Sequence, residues 1–220
     1  MPKAMRSPAE IELVKQKIIE KALSLIQKHG HENFSMRKLA ASLNMTAANI
    51  YNYYANKEDI HRAIQTEGFS HLNAIFSEIY ARNIDSRRKL KHLLLAYLDF
   101  GISRKHYYDT LFIPELYADN PGKQTDDQRI NLHFFNILQQ VLTEINGKKS
   151  QMNDESLHLR ALQILSTLHG AVCLVNNKVV QAIYANPRTF NEQLAAEIMV
   201  TCIRKSKKEA PARMEQSRLF

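Results

Sequence analysis

Apolar residues recur every three or four positions along most of this 220-residue chain, and no stretch alternates with period two between turn signals. That periodicity predicts an all-α fold. Only six Gly and six Pro are present, too few for a turn-rich sandwich of short strands. Ile11, Val14, Ile18, Ala22, Leu25 and Ile26 form one stripe of a first helix, for which Gly30 offers a left-handed C-cap. Ser35 is placed to N-cap a short second helix with Met36, Leu39, Ala40 and Leu43 inward. Asn44 then breaks it, and Thr46 caps a third segment running through Tyr54. Asn56 caps a fourth helix whose first turn holds Glu58 and Asp59, suited to the positive helix end, and whose inward stripe runs from Ile60 to Ile79.

Further along, Asp85 or Ser86 opens a helix to about Arg104, and a short aromatic segment follows from Tyr107 to Tyr117. Residues 119–123 read as a loop, 128–145 as a helix with Phe134, Ile137, Leu138, Val141 and Leu142 inward, and 153–185 as one long helix. Thr189 and Glu192 have capping-box spacing, which places a last helix from Phe190 to about Lys205.

The charge is informative by position. Residues 1–60 carry nine basic and six acidic side chains, 61–202 carry fifteen and fourteen, and 203–220 carry six and two. A near-neutral body between basic ends assigns any polyanion contact to an end. The unbroken apolar runs, such as Leu93 to Leu98, are shorter than the roughly 20 residues of a bilayer span, so no membrane crossing is expected. The first residues show no secretory h-region, which places Cys173 and Cys202 as reduced thiols in a cytoplasm.

Function concentrates in Phe34 to Ile60, FSMRKLAASLNMTAANIYNYYANKEDI. Two short helices joined at Asn44-Met45 match a helix-turn-helix, whose second helix enters the major groove. Leu39, Leu43, Met45 and Ile50 are spaced to bury against one another, and Asn tolerates the positive φ of the turn. The residues expected to face DNA are Ser35, Met36, Arg37, Lys38, Thr46, Ala47, Ala48, Asn49, Tyr51, Asn52, Tyr53 and Lys57. Thr46 and the free amides beside it suit a phosphate, and small Ala47 and Ala48 permit close approach and contact with thymine methyls. Asn49 and Asn52 suit adenine edges, Arg37 a guanine, and Lys57 a phosphate. Tyr51 and Tyr53 are expected outward, with Tyr54 turned inward beside Ile50.

These residues resemble the TetR family of one-component transcriptional regulators: Phe34 to Ala40, the Leu43-Asn44-Met45 turn, and above all Ile50-Tyr51-Asn-Tyr-Tyr54-Ala-Asn-Lys57-Glu-Asp-Ile60. Asn44 stands where the family usually has Gly, and Ala47-Ala48 where Lys-Gly is common, which removes one phosphate-binding amine. Lys105 to Phe112, with Leu168-His169-Gly170 to Leu174, is similar to the regulatory domain of members carrying a Trp-His-Gly signature, although Thr167 holds the Trp position. The resemblance implies a DNA-binding domain over residues 1–60, a regulatory and dimerising domain over 61–205 and a basic tail over 206–220. It also implies a homodimer on a palindromic double-stranded operator, a repressor as the default, and a small-molecule effector. Pocket candidates are Phe76, Phe100, Tyr107, Phe112, Phe134, His169 and Cys173. The final helices carry Leu157, Leu165, Leu168, Val172, Leu194, Ile198 and Cys202, apolar surface for a partner copy or for packing within one chain.

Two other classes compete: an enzyme, and a helical interaction module that does not bind DNA. The nine His include no H-E-x-x-H zinc motif, and there is no Gly-rich phosphate cradle or G-x-S-x-G elbow. His169 and Cys173 lie four apart, a spacing that admits metal but more simply reads as a core His beside a small hydrophobe. No catalytic residue, metal or cofactor is expected.

Overall fold

The computed structural model describes residues 7–111, 133–147, 154–184 and 186–204, and among them every regular element is helical. In chain order these are α1 (Pro8–His29), α2 (Met36–Ser42), α3 (Ala47–Tyr51), α4 (Lys57–Ala81), α5 (Ser86–Ser103), α6 (Lys105–Leu111), α7 (His133–Asn146), α8 (Asp154–Asn176), a 3-10 turn (Val180–Ala182) and α9 (Pro187–Arg204). They divide into two compact units. The first holds α1 to α3, α4 as far as Asn73, and α6; the second holds the rest of α4, α5 and α7 to α9. The break expected at residue 60 thus falls inside α4, four residues into a helix that starts at Lys57.

In the first unit, α1 is started by a complete capping box: Ser7 accepts from the Glu10 amide, and the Glu10 carboxylate accepts from the Ser7 amide at 2.7 Å. Its buried face is Ile18, Ile19, Ala22, Leu23 and Ile26. Ile11 is exposed and Val14 and Leu25 half-buried, so the core-facing stripe is narrower at its N-terminal end than the sequence suggests. Gly30 ends the helix at φ 78, ψ 161, a glycine conformation but not the expected left-handed one, and its amide closes on the Ile26 carbonyl at 2.8 Å. These residues join Phe34, Leu39, Ile50, Ile60 and Ile64 in one core. Packed on it is α6, whose Leu111 carbonyl accepts from the buried Gln65 amide at 2.8 Å.

The second unit is centred on Phe134 of α7, with the Phe76 ring edge-on at 5.7 Å and the Tyr97 ring tilted at 6.1 Å. The Asn176 side chain donates to the Gly101 carbonyl at 3.0 Å and ties α8 to α5. There α8 stops, well short of the expected residue 185. Lys178 turns left-handed at φ 61, and the amides of Val179 and Lys178 close on the carbonyls of Leu174 and Val175 at 2.9 and 3.0 Å, a Schellman ending. The last helix begins at Pro187, which suits its first position, so Thr189 lies inside the helix and not at its cap.

Over Glu155–Asn176, α8 is long and apolar enough by length and composition to cross a bilayer, as core helices of soluble proteins also are. Run length alone misses this because Gln163, Ser166, Thr167 and His169 interrupt the apolar residues while Glu155 and Arg160 are its only charged ones. Its face toward the unit is Ala161, Ile164, Leu168, Ala171, Val172 and Val175, while Leu159, Leu162 and Leu174 are exposed.

Candidate nucleic-acid interface

The helix-turn-helix is built by local hydrogen bonds that its sequence specifies. Ser35 is extended and its hydroxyl accepts the Lys38 amide at 3.3 Å, which starts α2. The chain leaves α2 through Asn44 at φ 54, and the Met45 amide reaches back to the Ala40 carbonyl at 2.9 Å. Thr46 accepts the Asn49 amide at 3.2 Å and starts α3, which is five residues long. It does not reach Tyr54. Asn52 closes it, and Tyr53 and Tyr54 follow in a turn, both packed against the core. Asn56 then accepts the Asp59 amide at 2.8 Å, and α4 begins with Lys57.

This geometry sorts the expected contacts. Arg37, Lys38, Thr46, Ala48, Asn52 and Lys57 are exposed, as is Tyr51 at 52%; Ser35, Ala47 and Asn49 are half-buried. Met36, which the sequence places both inward and at the interface, is 7% exposed and belongs to the core, where it cannot meet a duplex. Tyr53 is half-buried against the same core and so faces outward only in part. Burial pushes the Tyr54 phenol up to about 12, with Glu12 and Glu67 adding to the effect.

The cations are held to different degrees. The Lys38 ammonium donates to the Asn33 carbonyl at 2.9 Å, Lys57 lies 3.8 Å from a Glu58 carboxylate oxygen, and Arg62 pairs with Asp59 at 3.2 Å. Behind them, unanticipated from sequence, the His61 ring lies 5.2 Å from that of His31 and edge-on to Phe34. Burial, reinforced by His31 and Lys57, lowers His61 to about 4, so at neutral pH it adds no charge behind the interface.

The effector candidates do not form one group. Phe76, Phe100 and Phe134 are fully buried, and Phe76 and Phe134 fill the centre of the second unit. His169 and Cys173 approach to 3.7 Å on α8, and burial lowers the His169 pKa. Phe112 lies outside the described residues. Tyr107 is in the first unit, where its hydroxyl donates to Glu67 at 2.8 Å. None of these residues lines either of two grooves formed by described residues of the second unit. One, of about 470 Å³, has a mixed lining that includes Tyr80, Gln139, Thr143, Glu144, Leu157 and His158. The other, of about 260 Å³, lies between α8 and α9 and includes Gln163, Thr167, Leu194 and Ile198. Among the described residues no group of three or more His, Cys, Asp or Glu is placed to hold a metal ion.

Comparison with known proteins agrees with this anatomy. Residues 18–64 match the family model for bacterial regulatory proteins of the tetR family, and residues 90–197 match the tetracyclin repressor-like C-terminal domain. The biofilm operon icaADBC HTH-type negative transcriptional regulator IcaR of Staphylococcus epidermidis is 26% identical over 100 residues, 46% of this chain and 52% of that protein. The match therefore spans about half of that relative. A bacterial regulatory protein in the tetR family from Rhodococcus RHA1 has the same fold, with TM-score 0.68 and 19% identity over 90% of this chain and 97% of that one. The transcriptional regulator FadR of Bacillus subtilis, solved in complex with stearoyl-CoA, gives TM-score 0.61 and 18% identity over 86% and 97%. With both family models matched, over residues 18–64 and 90–197, this chain belongs to the TetR family of bacterial regulatory proteins.

Proposed function

We propose that the chain binds a palindromic DNA operator as a homodimer, represses the adjoining gene, and releases the operator when a small molecule occupies its second unit. The observation that carries this reading is the outward face of the helix-turn-helix. Thr46, Ala48, Tyr51 and Asn52 are exposed around a short helix, with Arg37, Lys38 and Lys57 on the neighbouring elements. An exposed ring and carboxamide framed by cations suit a groove and its phosphates better than they suit bulk water.

Repression follows the negative regulator to which the chain is related. Dimerisation is supported by Leu159 and Leu162 on α8 and Val200 on α9, which stand 58%, 50% and 42% exposed in the single chain. A two-fold pair of recognition helices then meets two half-sites about 34 Å apart, one turn of DNA. Release is linkage: an effector that prefers a conformation with a different spacing lowers operator affinity by its own differential affinity for the two states. That the B. subtilis neighbour was solved in complex with stearoyl-CoA supports a small-molecule effector for this chain.

In vitro selection of random duplexes with the purified full chain tests the reading. An enriched inverted repeat, bound with an affinity that falls linearly on logarithmic axes as salt rises, is the expected result. Failure to enrich any sequence would return the chain to the class of helical interaction modules.

A further inference from the structure

Resting on that DNA-binding reading, we infer that the recognition face selects an A·T-rich half-site, read through methyl groups and carboxamides instead of guanidinium contacts to guanine. From Asn44 to Asn56 the chain has no Lys, Arg, His, Asp or Glu. In the major groove guanine is read chiefly by Arg or Lys on its O6 and N7, and cytosine by a carboxylate accepting from N4. Both vocabularies are absent from α3 and its flanks.

What this segment does present has the opposite preference. Ala48, Tyr51 and Asn52 lie at spacings of three and four and are all exposed, so they share the outward face. The Ala48 methyl and the Tyr51 ring are apolar partners for the C5 methyl that distinguishes thymine. The Asn52 carboxamide carries a donor and an acceptor together and matches the N6 amine and N7 of adenine. Thr46, also exposed, has its oxygen occupied by the Asn49 amide, which leaves its methyl and its O–H for the groove. Ile50 is fully buried, Tyr53 and Tyr54 pack on the core and Asn49 is half-buried, so these four contribute less.

The cations stand outside this face. Lys38 is bound to the Asn33 carbonyl and Lys57 lies beside Glu58, which leaves Arg37 on α2 as the side chain best placed for a guanine. A single G·C pair at the edge of an A·T-rich half-site is the pattern that results.

Base-analogue substitution in the selected duplex tests the inference without altering the protein. Replacing thymine by uracil removes only the C5 methyl, and at one or more central positions it should weaken binding by the full chain several-fold. Asn52→Ala should lose roughly five-fold or more of its discrimination at one adenine. Its salt slope should stay unchanged, because no phosphate contact is lost. A selected half-site with G·C pairs at its centre, or uracil tolerated at every position, overturns the inference while leaving DNA binding intact. Selection that enriches no duplex removes the DNA-binding reading itself and the inference with it.

Discussion

The Tyr107 hydroxyl donates to Oε1 of Glu67 at 2.8 Å, and the Gln16 side-chain amide donates to that same oxygen at 3.1 Å. One carboxylate thus joins α6, α4 and α1 within the unit that carries the helix-turn-helix. Burial first, then the bond to Glu67, pushes the Tyr107 phenol well above its usual range, which keeps it a donor at neutral pH. Tyr107→Phe keeps the ring and removes the donor. The expected loss is about 1 kcal/mol in denaturant unfolding. A double-mutant cycle with Gln16→Ala should be non-additive, because both bonds end on one oxygen.

Gly68 sets the distance between α4 and α6. A Cβ there would lie 2.7 Å from Cδ2 of Leu111 and 3.3 Å from Cδ1 of Tyr107, so the fully buried Leu111 side chain would have to shift. Gly68→Ala should destabilise the chain by about 1–3 kcal/mol despite its better helix propensity. Adding Leu111→Ala to Gly68→Ala should cost less than Leu111→Ala alone, measured by thermal or denaturant unfolding.

His61 makes stability depend on acid. In the unfolded chain its imidazole takes up a proton near pH 6.5, whereas in the fold it stays neutral down to about 4. Between those values the unfolded state binds more protons, so stability falls as pH drops through that window. His61→Gln should flatten this part of the pH profile of unfolding free energy; an equally steep decline in the variant would assign it to other groups.

Lys178 is an exposed non-glycine residue held at φ 61 by the Schellman ending of α8. The left-handed conformation costs an L-residue roughly 1 kcal/mol relative to glycine. Lys178→Gly should therefore raise the unfolding midpoint slightly, where a mid-helix glycine would lower it.

The sequence reveals local rules well. Ser35, Thr46 and Asn56 cap where their hydroxyls and carboxamide can reach an amide three residues on, and Asn44 takes the turn because its neighbours demand positive φ. Long-range packing was not legible. Tyr53 and Tyr54 leave the helix because they find partners in the core, which ends α3 three residues early. Nothing local distinguishes Val179-Val180 from further helix, and it is the turn at Lys178 that stops α8. Tyr107 looks like a pocket aromatic until Glu67, 40 positions away, is found beneath its hydroxyl. His61 likewise acquires its character from burial against Phe34 and His31, some thirty residues earlier.

Site-specific photo-crosslinking tests the central claim that the outward face of α3 meets DNA. A benzophenone side chain placed at Tyr51, exposed on that face, should crosslink to the selected operator duplex, while the same group at Ile183, 77% exposed in the second unit, should not. Crosslinking from position 183 with none from position 51, under conditions where the duplex is bound, would contradict the account.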